Sequence, residues 1–306
     1  MITIAQSKIQ ETRILMSNIK NSTEHYPRLL MCAPDHFEVT YEINQWMQPQ
    51  TWSHNSSELL KVAQQEWRFL NQTFKTLGFD VELVKPQPGL PDMVFTANAA
   101  VILNERVLLA RFRFQERQPE EKPFAQYFEL AKRKGLVKEV NSFPVGIFQE
   151  GAGDCIWDNQ RQIFWAGYGP RSSKEATDYI GDYFGKEVVA LELSPRFYHL
   201  DLSLSPLSNG QVLYYPGAFT GSAQKIIKDR IPANELIAID KEDAENFVCN
   251  LVNVGKQIIL SNCSSQLESK LNNLGYSVIS TPVRKFGLAG GSVCCLTLKL
   301  DLTSKH

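Results

Sequence analysis

Five stretches of helical periodicity, near residues 55–78, 118–134, 173–184, 221–229 and 264–274, are each followed by a short β-rich run, and this repetition limits the folds open to the chain. The runs lie at residues 81–84, 136–140, 187–191, 235–239 and 276–279. An earlier strand at 28–33 is stopped by Pro34, which cannot donate to a sheet ladder. Strands alternating with helices usually mean a parallel doubly wound sheet. Here, however, the apolar runs 99–103 and 107–110, joined across Asn104-Glu-Arg106, read as a hairpin, and 211–215 is a further run between units. Several strands and one helix, repeated five times without a residue-level repeat, fit an α/β propeller of five units better. No linker rich in Gly, Ser or Pro divides the chain, so residues 27–306 are read as one domain. Residues 1–26 are polar and irregular and are read as an extension outside the core.

Charge and cysteine usage narrow the function. Lys and Arg number 32 against 33 Asp and Glu, with no long run of either sign, which disfavours phosphate-driven nucleic-acid binding. No stretch approaches the roughly 20 consecutive apolar residues of a bilayer-spanning helix. Residues 1–20 lack the compact apolar run of a secretory signal. Six cysteines without a CxxC pair fit neither a disulfide framework nor a zinc site. The expectation is a cytoplasmic protein acting on a small molecule, with no nucleic-acid or membrane partner and no metal or organic cofactor. A homo-oligomer is compatible with this sequence.

Four segments could carry chemistry. Ala289-Gly-Gly-Ser-Val-Cys-Cys-Leu-Thr-Leu-Lys-Leu300 reads as a strand after two permissive glycines. Strand alternation places Cys294, Leu296, Leu298 and Leu300 on the core face, and Cys295, Thr297 and Lys299 on the other, so Cys295 is the expected exposed thiol. In residues 195–206 the same alternation puts His199, Asp201, Ser203 and Ser205 together, and in residues 90–99 it groups Asp92 with Asn98. Phe148-Gln-Glu-Gly-Ala-Gly-Asp154 is a glycine turn between acids, without the strand and helix context of a dinucleotide site. Each has a plainer reading taken alone: an inert core cysteine, a surface strand edge, a cap or turn, an ordinary loop.

Together the segments resemble the guanidine-modifying enzyme superfamily, which shares a five-bladed α/β propeller, the pentein fold. The likeness spans about residues 31–300 and is strongest to the arginine dihydrolases. Its motifs are Met31-Cys-Ala-Pro-Asp-His-Phe37 with Tyr41-Glu-Ile-Asn-Gln-Trp-Met47, Pro91-Asp-Met-Val-Phe-Thr-Ala-Asn98, Glu150-Gly-Ala-Gly-Asp154, Gly167-Tyr-Gly-Pro-Arg171, Phe197-Tyr-His-Leu-Asp201 and Gly290-Gly-Ser-Val-Cys-Cys-Leu-Thr297. The resemblance implies Cys295 as nucleophile, His199 as general acid and base, and Glu150 steadying the imidazolium. It implies a substrate-binding set of Asn98, Asp201, Asn44, Arg171, Arg117, Asp92 and Asp154, in which the two arginines grip the substrate carboxylate. Glutamine at position 45, where dihydrolases usually carry proline, is a departure beside the pocket residue Asn44.

The implied activity is cysteine-dependent hydrolysis of arginine, through citrulline, to ornithine, carbon dioxide and ammonia. Asn98 carries that choice. Deiminases and dimethylarginine hydrolases have an aspartate there, suited to a cation, whereas an amide offers both donor and acceptor to a neutral ureido group. The alternatives are an arginine deiminase, a hydrolase of citrulline or dimethylarginine, and a catalytically silent pentein that only binds.

Overall fold

The computed structural model describes residues 27–305; the extension expected at 1–26 lies outside the described residues. Strand β1 (Arg28–Cys32) leads through α1 (Pro49–His54) and α2 (Ser56–Thr76) to β2 (Asp80–Val84), which pairs parallel with it. Helix α2 docks by the periodic stripe Ala63, Trp67, Leu70 and Phe74, all buried. Truncating Phe74 would cost about 3–5 kcal/mol, because the ring is fully enclosed.

Four similar units follow. The hairpin β3 (Ala100–Leu103) and β4 (Arg106–Leu109) is succeeded by α3 (Glu121–Arg133) and β5 (Glu139–Ser142). Then come β6 (Cys155–Asp158), β7 (Ile163–Tyr168), α4 (Ala176–Phe184) and β8 (Val188–Glu192). The fourth unit is β9 (Leu204–Pro206), β10 (Val212–Tyr214), α5 (Gly221–Arg230) and β11 (Leu236–Ala238). After the short α6 (Lys241–Glu245), the fifth is β12 (Val252–Val254), β13 (Gln257–Leu260), α7 (Ser265–Asn273) and β14 (Ser277–Ser280). The last strand, β15 (Leu298–Lys299), returns to pair antiparallel with β1.

The result is five three-stranded sheets, each an antiparallel pair extended by a parallel third strand after a helix. The fivefold α/β repeat expected from the sequence is therefore present. Side-chain caps start three of the helices: Thr220 accepts from the Ala223 N–H before α5, Asp240 from the Asp243 N–H before α6, and Ser264 from the Leu267 N–H before α7. One boundary moved. The run expected at 136–140 pairs only from Glu139, where parallel register with Arg106 begins; Val137 is instead buried with Phe124 and Phe128 of α3. Among the described residues, no helix is long and apolar enough to cross a membrane.

Candidate active site

Tight turns, not strands, carry the candidate residues. Asp92 and Asn98 lie in two successive 3₁₀ turns, Pro91–Val94 and Thr96–Ala99; Asp201 lies in another, Leu200–Leu202; and Glu150 and Asp154 flank Gly151–Gly153. Cys294 and Cys295 occupy a turn before β15. The strand alternation read from these segments is thus wrong, and so is the expectation of an exposed Cys295, which is 2% exposed while Cys294 is only half-buried. The physical reason is position: each turn feeds an outer strand of a sheet, where the chain must bend before the ladder begins. Those bends converge. The turn at 151–153 packs against the turns at 96–99 and 200–202.

Glycine makes the convergence feasible. A Cβ on Gly153 would lie 2.4 Å from Asn98 Nδ2 and 3.4 Å from His199 Nδ1. Gly151 has φ +65°, and a Cβ there would meet the Ala97 carbonyl oxygen at 2.5 Å. No side chain larger than hydrogen fits at either position without moving backbone or site residues.

One half of the site is a buried ion-pair network. Glu150 Oε2 accepts from Arg171 Nη1 at 2.7 Å and from His199 Nε2 at 2.8 Å. Burial alone would raise the Glu150 carboxyl, but Arg171, His199 and Arg117 together hold it well below the usual carboxylate range. Burial pushes His199 down to about 4 even though Glu150 favours its charged form. The imidazole is therefore neutral near pH 7. Its Nε2 faces a carboxylate and must carry the proton, which leaves Nδ1, on the Gly153 side, as the basic nitrogen. Asp154, 4.0 Å from His199 Nε2, accepts from the Ser172 hydroxyl at 2.6 Å and from the N–H of Leu200, the residue after the histidine, at 3.1 Å.

Arg117 joins the same network. It donates to both Glu120 oxygens at 2.9 and 2.8 Å, to Asn98 Oδ1 at 2.8 Å and to the Asp92 carbonyl at 3.2 Å, and it stacks on Phe112. Asn98 Nδ2 donates to the Glu150 carbonyl at 2.9 Å, so the amide is fixed at both ends and keeps one N–H and one lone pair for a ligand. The Asp92 carboxylate accepts from Tyr41 Oη at 2.9 Å.

The other half holds the candidate nucleophile. Cys295 Sγ lies 3.4 Å from Asp201 Oδ2 and 3.0 Å from Asn250 Nδ2. Asn250 Oδ1 also accepts the Cys295 N–H at 3.1 Å, so this one amide fixes both the backbone and the sulfur. Burial, reinforced by Asp201, pushes the Cys295 thiol up, and burial raises Asp201 to about 7. Asp201 Oδ1 is buried with no hydrogen-bond partner. Asn250 was missed in the sequence, where it sits among apolar residues in Phe247-Val-Cys-Asn250-Leu251. The available signal was positional, since it precedes β12 as Asn98 precedes β3.

A recess of about 340 Å³, lined by Asn44, Phe114, Arg171 and Tyr198 among others, lies over the ion-paired half. Arg171 stacks between the Phe114 and Tyr198 rings, and its Nη2 donates to the Ile43 carbonyl. Asn44 bonds the Ala289 carbonyl and the Trp46 N–H. Of the two arginines expected to grip a carboxylate, Arg171 lines this recess and Arg117 does not. Among the described residues, no group of three or more His, Cys, Asp or Glu could hold a metal ion.

A family model described as N,N dimethylarginine dimethylhydrolase, eukaryotic, matches residues 33–302. The chain is 44% identical over 274 residues to the bifunctional arginine dihydrolase/ornithine cyclodeaminase ArgZ of Synechocystis, covering 89% of this chain but only 37% of that relative's length. It is 35% identical over 275 residues to the N(G),N(G)-dimethylarginine dimethylaminohydrolase of Mycobacterium tuberculosis, covering 89% of this chain and 85% of that one. The crystal structure of the N-terminal domain of ArgZ, an arginine dihydrolase, in a cysteine-to-serine mutant bound to substrate, superposes with a TM-score of 0.85. That match covers 90% of this chain and 99% of that domain, at 44% identity.

Proposed function

The chain belongs to the dimethylarginine dimethylaminohydrolase family of guanidine-modifying enzymes, and from that membership and the site geometry we propose that it is a cysteine-dependent arginine dihydrolase. One observation carries the reading: a thiol 3.4 Å from a carboxylate that has one buried oxygen unpartnered, in a site that also holds an imidazole whose basic nitrogen is left free by its glutamate. A planar cation with several N–H groups is the ligand that such a set would recognise. Its arrival satisfies Asp201 Oδ1 and, as a positive charge beside Cys295, brings the thiol pKa down.

Chemistry follows in two equivalent rounds. Cys295 gives its proton to His199 Nδ1, and its sulfur adds to the guanidinium carbon. The C–N bond to a terminal nitrogen then breaks as that nitrogen takes the proton from His199 and leaves as ammonia. Water loses a proton to His199 and adds to the carbon, and the C–S bond breaks to give citrulline. In the second round a further water converts citrulline to ornithine, carbon dioxide and ammonia. Asn98 supports that round: its remaining N–H can donate to the ureido oxygen, whereas an aspartate would repel it and would face the Glu150 carbonyl as well.

Dimethylarginine hydrolysis is the second reading, favoured by the family model and the 35% identical relative. NMR of products from guanidino-labelled arginine, ureido-labelled citrulline and dimethylarginine separates them. Ornithine and labelled carbon dioxide from arginine are expected. Stoichiometric citrulline from arginine would indicate a deiminase, and dimethylamine release as the dominant activity would overturn the dihydrolase reading. In the same assay Asn98→Asp should shift the product toward citrulline.

A further inference from the structure

A second cavity, of about 110 Å³, lies on the axis of the ring. Ile102, Trp157, Ser205, Asn253 and Lys299 line it, one from the outer strand of the antiparallel pair in each of the five sheets (β3, β6, β9, β12 and β15). It shares no lining residue with the recess over Arg171 and Asn44. The turns that carry the site residues come shortly before these strands, so the candidate active site is a layer between the loop-lined recess and the strand-lined axis. Asp201 belongs to both sides of that layer: it lines the axial cavity and touches Cys295 Sγ. Cys294 also lines the cavity and is half-buried, whereas Cys295 is 2% exposed. The neighbour of the nucleophile thus borders the axial cavity.

We infer that the axial cavity is the route by which ammonia leaves and water enters while the amino acid stays bound. This rests on the dihydrolase reading, which requires citrulline to be kept for a second cut. In each round the leaving nitrogen departs as NH₃, and one water must then reach the same carbon. The amino-acid end of the substrate occupies the recess side and cannot move aside without losing citrulline. The cavity offers small polar groups suited to water and ammonia, among them Ser205 and Asn253. Lys299, whose charged form burial disfavours, donates to the Asn253 carbonyl at 3.0 Å and adds a further polar group to the lining.

Ser205→Phe, placed in β9 to fill the cavity, tests this, with Ser205→Ala as the control for the lost hydroxyl. With arginine as substrate, Ser205→Phe should lower the ornithine-to-citrulline ratio about tenfold with little change in KM, because ammonia must then leave through the recess and citrulline leaves with it. Ser205→Ala should keep the wild-type ratio. A folded Ser205→Phe enzyme with unchanged ratio and turnover would overturn the proposal. A second measurement does not depend on that variant folding. In Cys295→Ser, iodoacetamide labelling of Cys294, followed by peptide mass spectrometry, should proceed at the same rate with and without saturating arginine. Protection of Cys294 by arginine would place access on the recess side and overturn the route. Failure of the dihydrolase reading would look different: wild-type enzyme that makes no ornithine from arginine, whatever the labelling result.

Discussion

The two halves of the site differ in how far the chain completes them. Around Glu150, Arg171, His199 and Arg117, the charged groups have partners from the protein itself. Around Cys295, Asp201 and Asn250 no cation among the described residues pairs with the thiol or the carboxylate; both are pushed toward their neutral forms, and one carboxylate oxygen is left over. A finished network can hold its geometry before anything binds. An unfinished one costs desolvation until a ligand brings the missing charge, and it thereby selects for a cation that can hydrogen-bond. The contrast assigns support and orientation to the first half and recognition and attack to the second.

Cys295→Ser should make the difference plainest. Turnover should fall on the order of 10⁴-fold or more, since loss of a nucleophile disables the whole catalytic unit. Arginine binding by calorimetry should persist, and measurable turnover within about tenfold of wild type would break the contrast.

Next in size are matched carboxylate variants. Glu150→Gln leaves Arg171 buried without its counter-ion and should cost about 3–5 kcal/mol in chemical denaturation. Asp201→Asn removes a buried carboxylate that has no cationic partner, so its folding stability at pH 8 should equal or exceed that of wild type while its KM for arginine rises. Equal destabilisation by the two would mean that the halves are energetically alike.

Asn250→Ala should act through the sulfur. A hydrogen bond to a charged group contributes about 1.5–3 kcal/mol, so substrate turnover should fall roughly 10- to 100-fold. The pH at which Cys295 is half-alkylated should rise with it, a signature that loss of packing alone would not give.

The smallest effect is on pH dependence. A cation beside Asp201 lowers its pKa from about 7, so arginine should bind Cys295→Ser more tightly as pH rises from 6 to 8, by up to about tenfold per unit. The double variant with Asp201→Asn should be flat. The signs for folding run oppositely in the two halves. Asp201, raised above its ordinary value, favours the folded state fully below about pH 4 and loses that contribution as pH climbs to about 7. Glu150, held low, contributes above the ordinary carboxylate range and loses that contribution on acidification, and His199, pushed down to about 4, disfavours folding as pH falls from about 6.5. Thermal melts from pH 3 to 8 check this: loss of stability in acid should be blunted in Glu150→Gln.

Legibility in the sequence divides differently, between the ring and its centre. The helices at 56–76, 176–184, 221–230 and 265–273 and their following strands lie within a few residues of where periodicity puts them, because each buries one face and the burial pattern is written in the residues. The centre is built from bends. Asp92, Asn98, His199, Asp201 and Cys295 are buried together, although alternation was the wrong reason for grouping them. A 3₁₀ turn has no two-residue period, and its side chains are aimed by contacts with other turns far away in the chain. Asn250 shows the limit. Its partner in space, Cys295, is 45 positions away, and nothing in its immediate neighbours announces a polar role.

The pairing of β15 with β1 has a further consequence. Cys295 lies three residues before a strand whose sheet partner, among the described residues, is some 270 positions earlier, and its backbone N–H is tied to Asn250 rather than to its own segment. A chain in which those segments have not met has a thiol but no pocket around it. Reactivity of that sulfur toward amidine probes is thus a report on completed assembly: it should appear last during refolding and vanish first on partial unfolding, ahead of any change in helix content.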